Sequence, residues 1–132
     1  MTSKNIISSH IQEHKNVLNS IDDDIIKKIE DISEILIKTL SNGNTIFWCG
    51  NGGSAGDSQH LAAELIGKYK EDRRPLKSIA LTTDSSAITC ISNDYSYDKV
   101  FERQIEGLGV DGDVLIGIST SGNSLNIINA LK

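Results

Sequence analysis

The sequence is poor in aromatics, in cysteine and in basic runs, and each shortage narrows what it can be. Phe, Trp and Tyr make up 5% of the 132 residues, and the apolar fraction of 38% is carried mostly by Ile, Leu and Ala. That mixture suits helices packed on a β-branched sheet. The two cysteines, Cys49 and Cys90, have neither zinc-finger nor C-x-x-C spacing. They are expected to be reduced and largely buried thiols. With 13 basic against 18 acidic residues the net charge is −5, and no basic stripe of the kind that tracks nucleic acid is present. A nucleic-acid partner is therefore not expected, although local N–H groups still let an acidic protein bind a small anion. No apolar run matches a signal-peptide core or a membrane span. The expectation is a cytoplasmic protein with no membrane partner. The length allows one domain with a real core, but not two.

What is there reads as helix first and then as alternating strand and helix. Residues 1–42 carry a loose helical stripe (Ile6, Ile7, Ile11, Leu18) and a clearer one in which Ile21, Ile25, Ile29, Ile32, Leu36 and Leu40 recur at spacings of three and four. Ser20 is a candidate N-cap for the second helix, Asp22, Asp23 and Asp24 complement its positive end, and Gly43 stops it. From residue 43 the pattern changes. Thr45–Cys49, Ser78–Thr82 and Val114–Ile118 read as buried strands. A helix is expected over 54–68, others capped by Asp84 and Asp98, and a last one from about Leu125. Strand–helix alternation implies parallel βαβ units, whose ligands bind beyond the carboxyl ends of the strands. The chain stops in a helix just after its third strand, so a sheet cut short at its C-terminal side is expected.

Two loops sit where such ligands bind. Ser119-Thr120-Ser121-Gly122-Asn123-Ser124 joins a buried strand to a helix start. Its four hydroxyls and the free N–H groups of a helix N-terminus suit phosphate oxygens, and Gly122 lets the backbone curl round an anion. Gly50-Asn51-Gly52-Gly53-Ser54 holds the matching place after the first strand. It is neither a P-loop nor a dinucleotide fingerprint. Its glycines allow close approach of a ligand, and Asn51 and Ser54 can bond to sugar hydroxyls or cap the helix. On that helix His60 and Glu64 lie four residues apart on one face, a spacing that suits two ligands of one metal or a carboxylate base beside an imidazole. His10 and His14 share the spacing but have no such loop near them, and read as surface or subunit-contact residues. Asn93-Asp94-Tyr95 reads as a turn after a short helix, with contact to substrate hydroxyls as the functional alternative.

At these residues the sequence resembles the SIS (sugar isomerase) family, and within it the sedoheptulose-7-phosphate, or phosphoheptose, isomerases. Cys49–Ser54 with Asp57, His60 and Glu64, then Ile91–Tyr95, then Gly112–Ser124 carry the resemblance, which runs to residue 132. It implies an α/β fold: a three-layer, doubly wound parallel sheet of SIS type with N-terminal helices. It would form a single domain over 1–132, helical over 1–42 and α/β over 43–132, with the C-terminal strands and helix missing. The implied activity is isomerisation of D-sedoheptulose 7-phosphate to D-glycero-D-manno-heptose 7-phosphate, the first step towards ADP-heptose and the lipopolysaccharide core or other surface glycans. Family members are cytoplasmic homotetramers with active sites between subunits.

Carried over residue by residue, Ser119, Thr120, Ser121 and Ser124 hold the phosphate, while Asn51, Gly52, Gly53, Glu64, Asn93 and Asp94 contact the sugar. His60 and Glu64 match two ligands of one Zn(2+) per subunit, and Glu64 also matches the catalytic base. Two departures are visible. Lys68 stands where the family commonly has Arg. The family's remaining ligands, a Gln and a His that is also the proposed acid, belong to a C-terminal segment beyond residue 132, so weak or no activity is expected of this chain alone. The alternatives are a non-catalytic SIS scaffold that associates with the replication initiator, which lacks a carboxylate at the position of Glu64, and a SIS domain that senses a sugar phosphate.

Overall fold

A computed structural model describes residues 2–132. It divides into two compact units, residues 2–35 and Leu36–Lys132, and the division falls inside a helix rather than at the helix's end. The first unit holds α1 (Ser3–Asn19) and the greater part of α2 (Asp23–Ser41). The Thr2 hydroxyl accepts from Asn5 N and caps α1. Ser20, expected to start the second helix, instead closes the first: its N–H returns to Asn16 O and its hydroxyl donates to Val17 O at 2.7 Å. Asp22 takes the N-cap role, accepting from Ile25 N at 2.9 Å, and Asp23 and Asp24 occupy the first turn. An aspartate competes well for this place because its carboxylate both accepts the orphan N–H and meets the positive end of the helix dipole. The apolar stripes of this unit, including Ile7, Ile11, Leu18, Ile25, Ile29 and Ile32, are exposed.

The second unit is a helix–sheet–helix sandwich. Three parallel strands, β1 (Ile46–Gly50), β2 (Ser78–Ala80) and β3 (Val114–Ile118), lie in the order β2-β1-β3. Ile46 pairs with both Ser78 and Val114, so β1 is hydrogen-bonded on both sides. All five of its residues are buried, as expected for a central parallel strand covered on both faces. Its side chains alternate. Ile46 and Trp48 face Ala62 and Leu65 of α3 (Gly53–Ile66), with Leu36 and Leu40 of α2. Phe47 and Cys49 face Leu81, Val100, Phe101 and Ile127 on the other side. That second layer is built by α4 (Ser85–Asp94), a 3-10 turn at Tyr97–Lys99, α5 (Glu102–Leu108) and α6 (Leu125–Ala130). Trp48 Nε1 donates to the buried Ser78 Oγ at 2.8 Å, so the one polar atom of the indole is paired inside the core.

The sandwich is the expected α/β architecture, with several local corrections. The first strand starts one residue later and the second is two residues shorter than the apolar runs suggested. Asp98 lies within the 3-10 turn and does not cap α5, whereas Asp84 does cap α4 by accepting from Ala87 N. Asn93 and Asp94 are the last two residues of α4 rather than a turn after it. Cys49 is fully buried, which pushes its thiol up to about 11. Cys90, expected to be buried, is exposed, because its helix turns it outwards beside Asp94.

Asp113 fastens the amino ends of β1 and β3 together. Its carboxylate accepts from Thr45 N at 2.7 Å and Val110 N at 3.0 Å, and lies 3.3 Å from the Asn44 amide. Partial burial pulls its pKa up, but these donors and the Lys77 charge outweigh it, so the net shift is downwards. Stability from a carboxylate lowered in this way is fully present above the ordinary aspartate pKa and drains as the pH falls below it. Asp113→Ala is expected to cost about 1–3 kcal/mol near neutrality. In urea unfolding the gap between variant and parent should narrow as the pH is taken below about 4. A gap that stays constant with pH would show that the charge contributes nothing.

Candidate functional site

The strand order creates the site. The chain leaves β1 for β2 on one side and returns to β3 on the other, so the loops after β1 and β3 diverge across a crevice at the carboxyl edge of the sheet. Those two loops are the Gly-rich and Ser-rich segments. Gly50 ends β1 because only glycine fits: a Cβ there would lie 2.5 Å from Ser54 O. The loop therefore turns at once into α3, with Gly52 at its N-cap and Gly53 as its first residue.

The Ser-rich loop folds back on itself. Gly122 has φ +67, a conformation that glycine adopts without steric cost, and its N–H donates to Ser119 Oγ at 3.1 Å. Asn123 N donates to Ser121 Oγ at 3.2 Å. Ser119 Oγ lies 3.4 Å from Ser121 Oγ and 3.3 Å from Ser124 Oγ. Three hydroxyls thus converge. A hydroxyl that accepts a backbone N–H keeps its own proton to donate, so the cluster offers O–H donors to a bound anion. Thr120 is exposed in the same loop, and Ser124 is the N-cap residue of α6.

The two loops are tied together by a pair of amides, the buried Asn126 and the half-buried Asn51. Asn51 Nδ2 donates to Asn126 Oδ1 at 3.0 Å, and Asn126 Nδ2 donates back to Asn51 Oδ1 at 2.8 Å. Tyr97 OH donates to the same Asn51 Oδ1 at 2.9 Å. Asn126 and Tyr97 were not singled out in the sequence. The available signal was a polar residue set between the apolar Leu125 and Ile127 at a helix start. A cavity of about 170 Å³ opens between Gly50–Gly52 and Thr82, Ile88 and Tyr97. That is below the size that usually encloses a small-molecule ligand.

His60 and Glu64 lie on one face of α3, with His60 Nε2 3.4 Å from Glu64 Oε1. Two donors about 2.0–2.1 Å from a tetrahedral zinc ion are about 3.3–3.4 Å apart, so the pair fits two neighbouring corners of such a site. Among the described residues no group of three His, Cys, Asp or Glu side chains converges. Arg73 closes the end of this helix by donating to Glu64 O and Leu65 O, each at 2.8 Å. At 1.5 Å per residue, His60 is about 10 Å and Glu64 about 16 Å along the axis from Gly53. The pair is thus carried away from its own chain's loops. Asn93 and Asp94 bond to each other at 2.8 Å, and Cys90 Sγ lies 3.4 Å from Asp94 Oδ2. These bonds, the Asn93 amide first, lower the Asp94 pKa. Both residues are exposed, and none of these bonds joins them to either loop.

The family model described as SIS domain matches residues 9–132. A phosphoheptose isomerase of Aliarcobacter butzleri is 55% identical over 129 residues, covering 98% of this chain and 68% of that protein. The phosphoheptose isomerase of Helicobacter pylori is 51% identical over 128 residues, covering 97% and 67%. Among solved structures, phosphoheptose isomerase GmhA from Neisseria gonorrhoeae superposes with a TM-score of 0.91 at 42% identity, over 98% of this chain and 67% of that one. A phosphoheptose isomerase from Francisella tularensis gives 0.88 at 34% identity, over 99% and 69%. The chain spans about two thirds of the length of these relatives.

Gly50→Ala tests the tightness of the first turn. Because the added methyl meets backbone, neither partner can swing aside, and a loss of about 1–3 kcal/mol is expected. Thermal unfolding reads it directly, and an unchanged midpoint would contradict the close approach.

Proposed function

The chain belongs to the phosphoheptose isomerases of the SIS domain family, and from that premise we propose that it interconverts D-sedoheptulose 7-phosphate and D-glycero-D-manno-heptose 7-phosphate. The observation that carries the proposal is the pairing of the hydroxyl cluster Ser119, Ser121 and Ser124 with the Gly-rich loop across one crevice. In this reading Ser119, Thr120, Ser121 and Ser124 hold the phosphate. Asn51, Gly52, Gly53, Asn93 and Asp94 meet the sugar hydroxyls. The reaction belongs to the cytoplasmic supply of heptose for lipopolysaccharide core or other surface glycans. No helix among the described residues is long and apolar enough to cross a membrane.

The chemistry needs a base beside the carbonyl. Glu64 takes the proton from C1 of the ketose, an enediol forms, and the proton is returned to C2 while the O1 proton moves to O2. One carboxylate oxygen faces His60, and the other is the one assigned to the proton. His60 and Glu64 are also the residues that would hold a zinc ion, which when bound supplies Lewis-acid polarisation of the substrate oxygens.

The length of α3 argues for an assembly. A heptose phosphate seated in its own chain's crevice does not span the roughly 16 Å along the axis to Glu64, so Glu64 of one copy serves substrate held by another. The exposed apolar stripes of α1 and α2 supply surface for such contacts, in keeping with a homotetramer.

The test is an assay with sedoheptulose 7-phosphate, with and without zinc. Glu64→Gln is expected to lower turnover by about 10²–10⁴-fold, with substrate affinity nearly kept. Ser119→Ala should instead weaken binding of inorganic phosphate about tenfold. Co-folding these two variants should recover part of the activity, because some mixed sites pair an intact Glu64 with an intact serine loop. Binding without turnover even when the C-terminal segment of a phosphoheptose isomerase relative is joined to the chain would favour a sensor or scaffold, and absence of recovery would remove the shared site.

A further inference from the structure

We propose that Asn126 is a positioning residue that sets the separation of the phosphate loop and the sugar loop by locking the side chain of Asn51. The inference rests on the reading of Asn51 as a sugar contact given above. Asn126 is the second residue of α6, two positions after Ser124, and is 3% exposed. Its carbonyl oxygen accepts from Asn51 Nδ2 and from its own chain at Ile127 N, at 3.0 Å each. Its amide nitrogen donates to Asn51 Oδ1 at 2.8 Å. The reciprocal pair leaves neither amide free to flip, since a flip would set donor against donor and acceptor against acceptor.

The consequence is directional. Asn51 Oδ1 already accepts from both Asn126 and Tyr97. An amide nitrogen carries two protons, and one is used by Asn126. The remaining N–H is what Asn51 presents to a ligand, held in one orientation by a buried partner. Because that partner stands on the helix that follows the serine loop, movement of α6 would carry Asn51 with it. A second link, Asn129 Nδ2 to Asp98 O at 3.2 Å, ties the same helix to the segment carrying Tyr97. The donor for the sugar and the donors for the phosphate are therefore placed by one short rigid unit. A fixed span of this kind selects a phosphorylated substrate whose sugar oxygens lie at a set distance from its phosphate.

The experiment compares two affinities by calorimetry, those for sedoheptulose 7-phosphate and for inorganic phosphate, in the parent chain, in Asn126→Ala and in Tyr97→Phe. Tyr97 is 52% exposed, so its variant does not threaten folding. The expected result for Asn126→Ala is a loss of sugar-phosphate affinity of about tenfold, with phosphate affinity held within about twofold. Tyr97→Phe should give a smaller loss in the same direction at an unchanged unfolding midpoint. A role in stability alone would lower the midpoint and move both affinities together, and that result, or unchanged affinities in both variants, would overturn the proposal. If the parent chain itself binds sedoheptulose 7-phosphate no better than phosphate, the functional reading fails, and this inference with it.

Discussion

The second unit depends on the burial of β1 between two parallel partners. With β2 on one side along Ile46–Trp48 and β3 on the other along its whole length, this short strand is placed by its neighbours, and its four side chains are buried on alternating faces. The pairing order also determines where function can sit. A chain that moves outwards from β1 to β2 and then returns to the far side must open its loops in opposite directions beyond β1 and β3. Gly50 and the Ser119–Ser124 loop meet at that opening because the sheet topology leaves them no other place.

Holding a ligand and turning it over are separate physical problems here. The hydroxyl cluster and the Asn51–Asn126 pair are local and preorganised, made by residues that already bond one another. Preorganised donors suit an anion because no further ordering is needed when it arrives. The His60–Glu64 pair is different. It rides on a helix that starts at the crevice but runs away from it, and in the proposed assembly it serves substrate held by another copy. The apolar stripes of the first unit are exposed, and the cavity beside Gly50–Gly52 is a modest 170 Å³.

Much of the fold was legible because its signals are short-range. Val114–Ile118 reads as a strand from four aliphatic residues and a glycine, and the structure keeps the same bounds. Gly43 and Gly122 mark chain reversals by their positive φ. What was not legible depended on competition between near-equal neighbours. Ser20 and Asp22 both suit a helix start, and only the return of the Ser20 hydroxyl to Val17 O decides between them. The site divides in the same way. Its hydroxyls and glycines are visible as a motif, but the Asn126 partner of Asn51 is 75 residues away in sequence and looks like an ordinary polar residue in an apolar helix. Cys90 shows the opposite error, since a preference of cysteine for the core says nothing about which face of a helix it occupies.

The central claim is that one sugar phosphate bridges the loops after β1 and β3. An NMR titration of the chain with sedoheptulose 7-phosphate tests it most directly, by following backbone and side-chain amide signals. The expected result is a joint, saturable shift of the Gly52, Gly53, Gly122 and Asn123 amides and the Asn51 side chain, with inorganic phosphate moving only the Gly122 and Asn123 set. Shifts confined to one loop, or lying outside both, would contradict it.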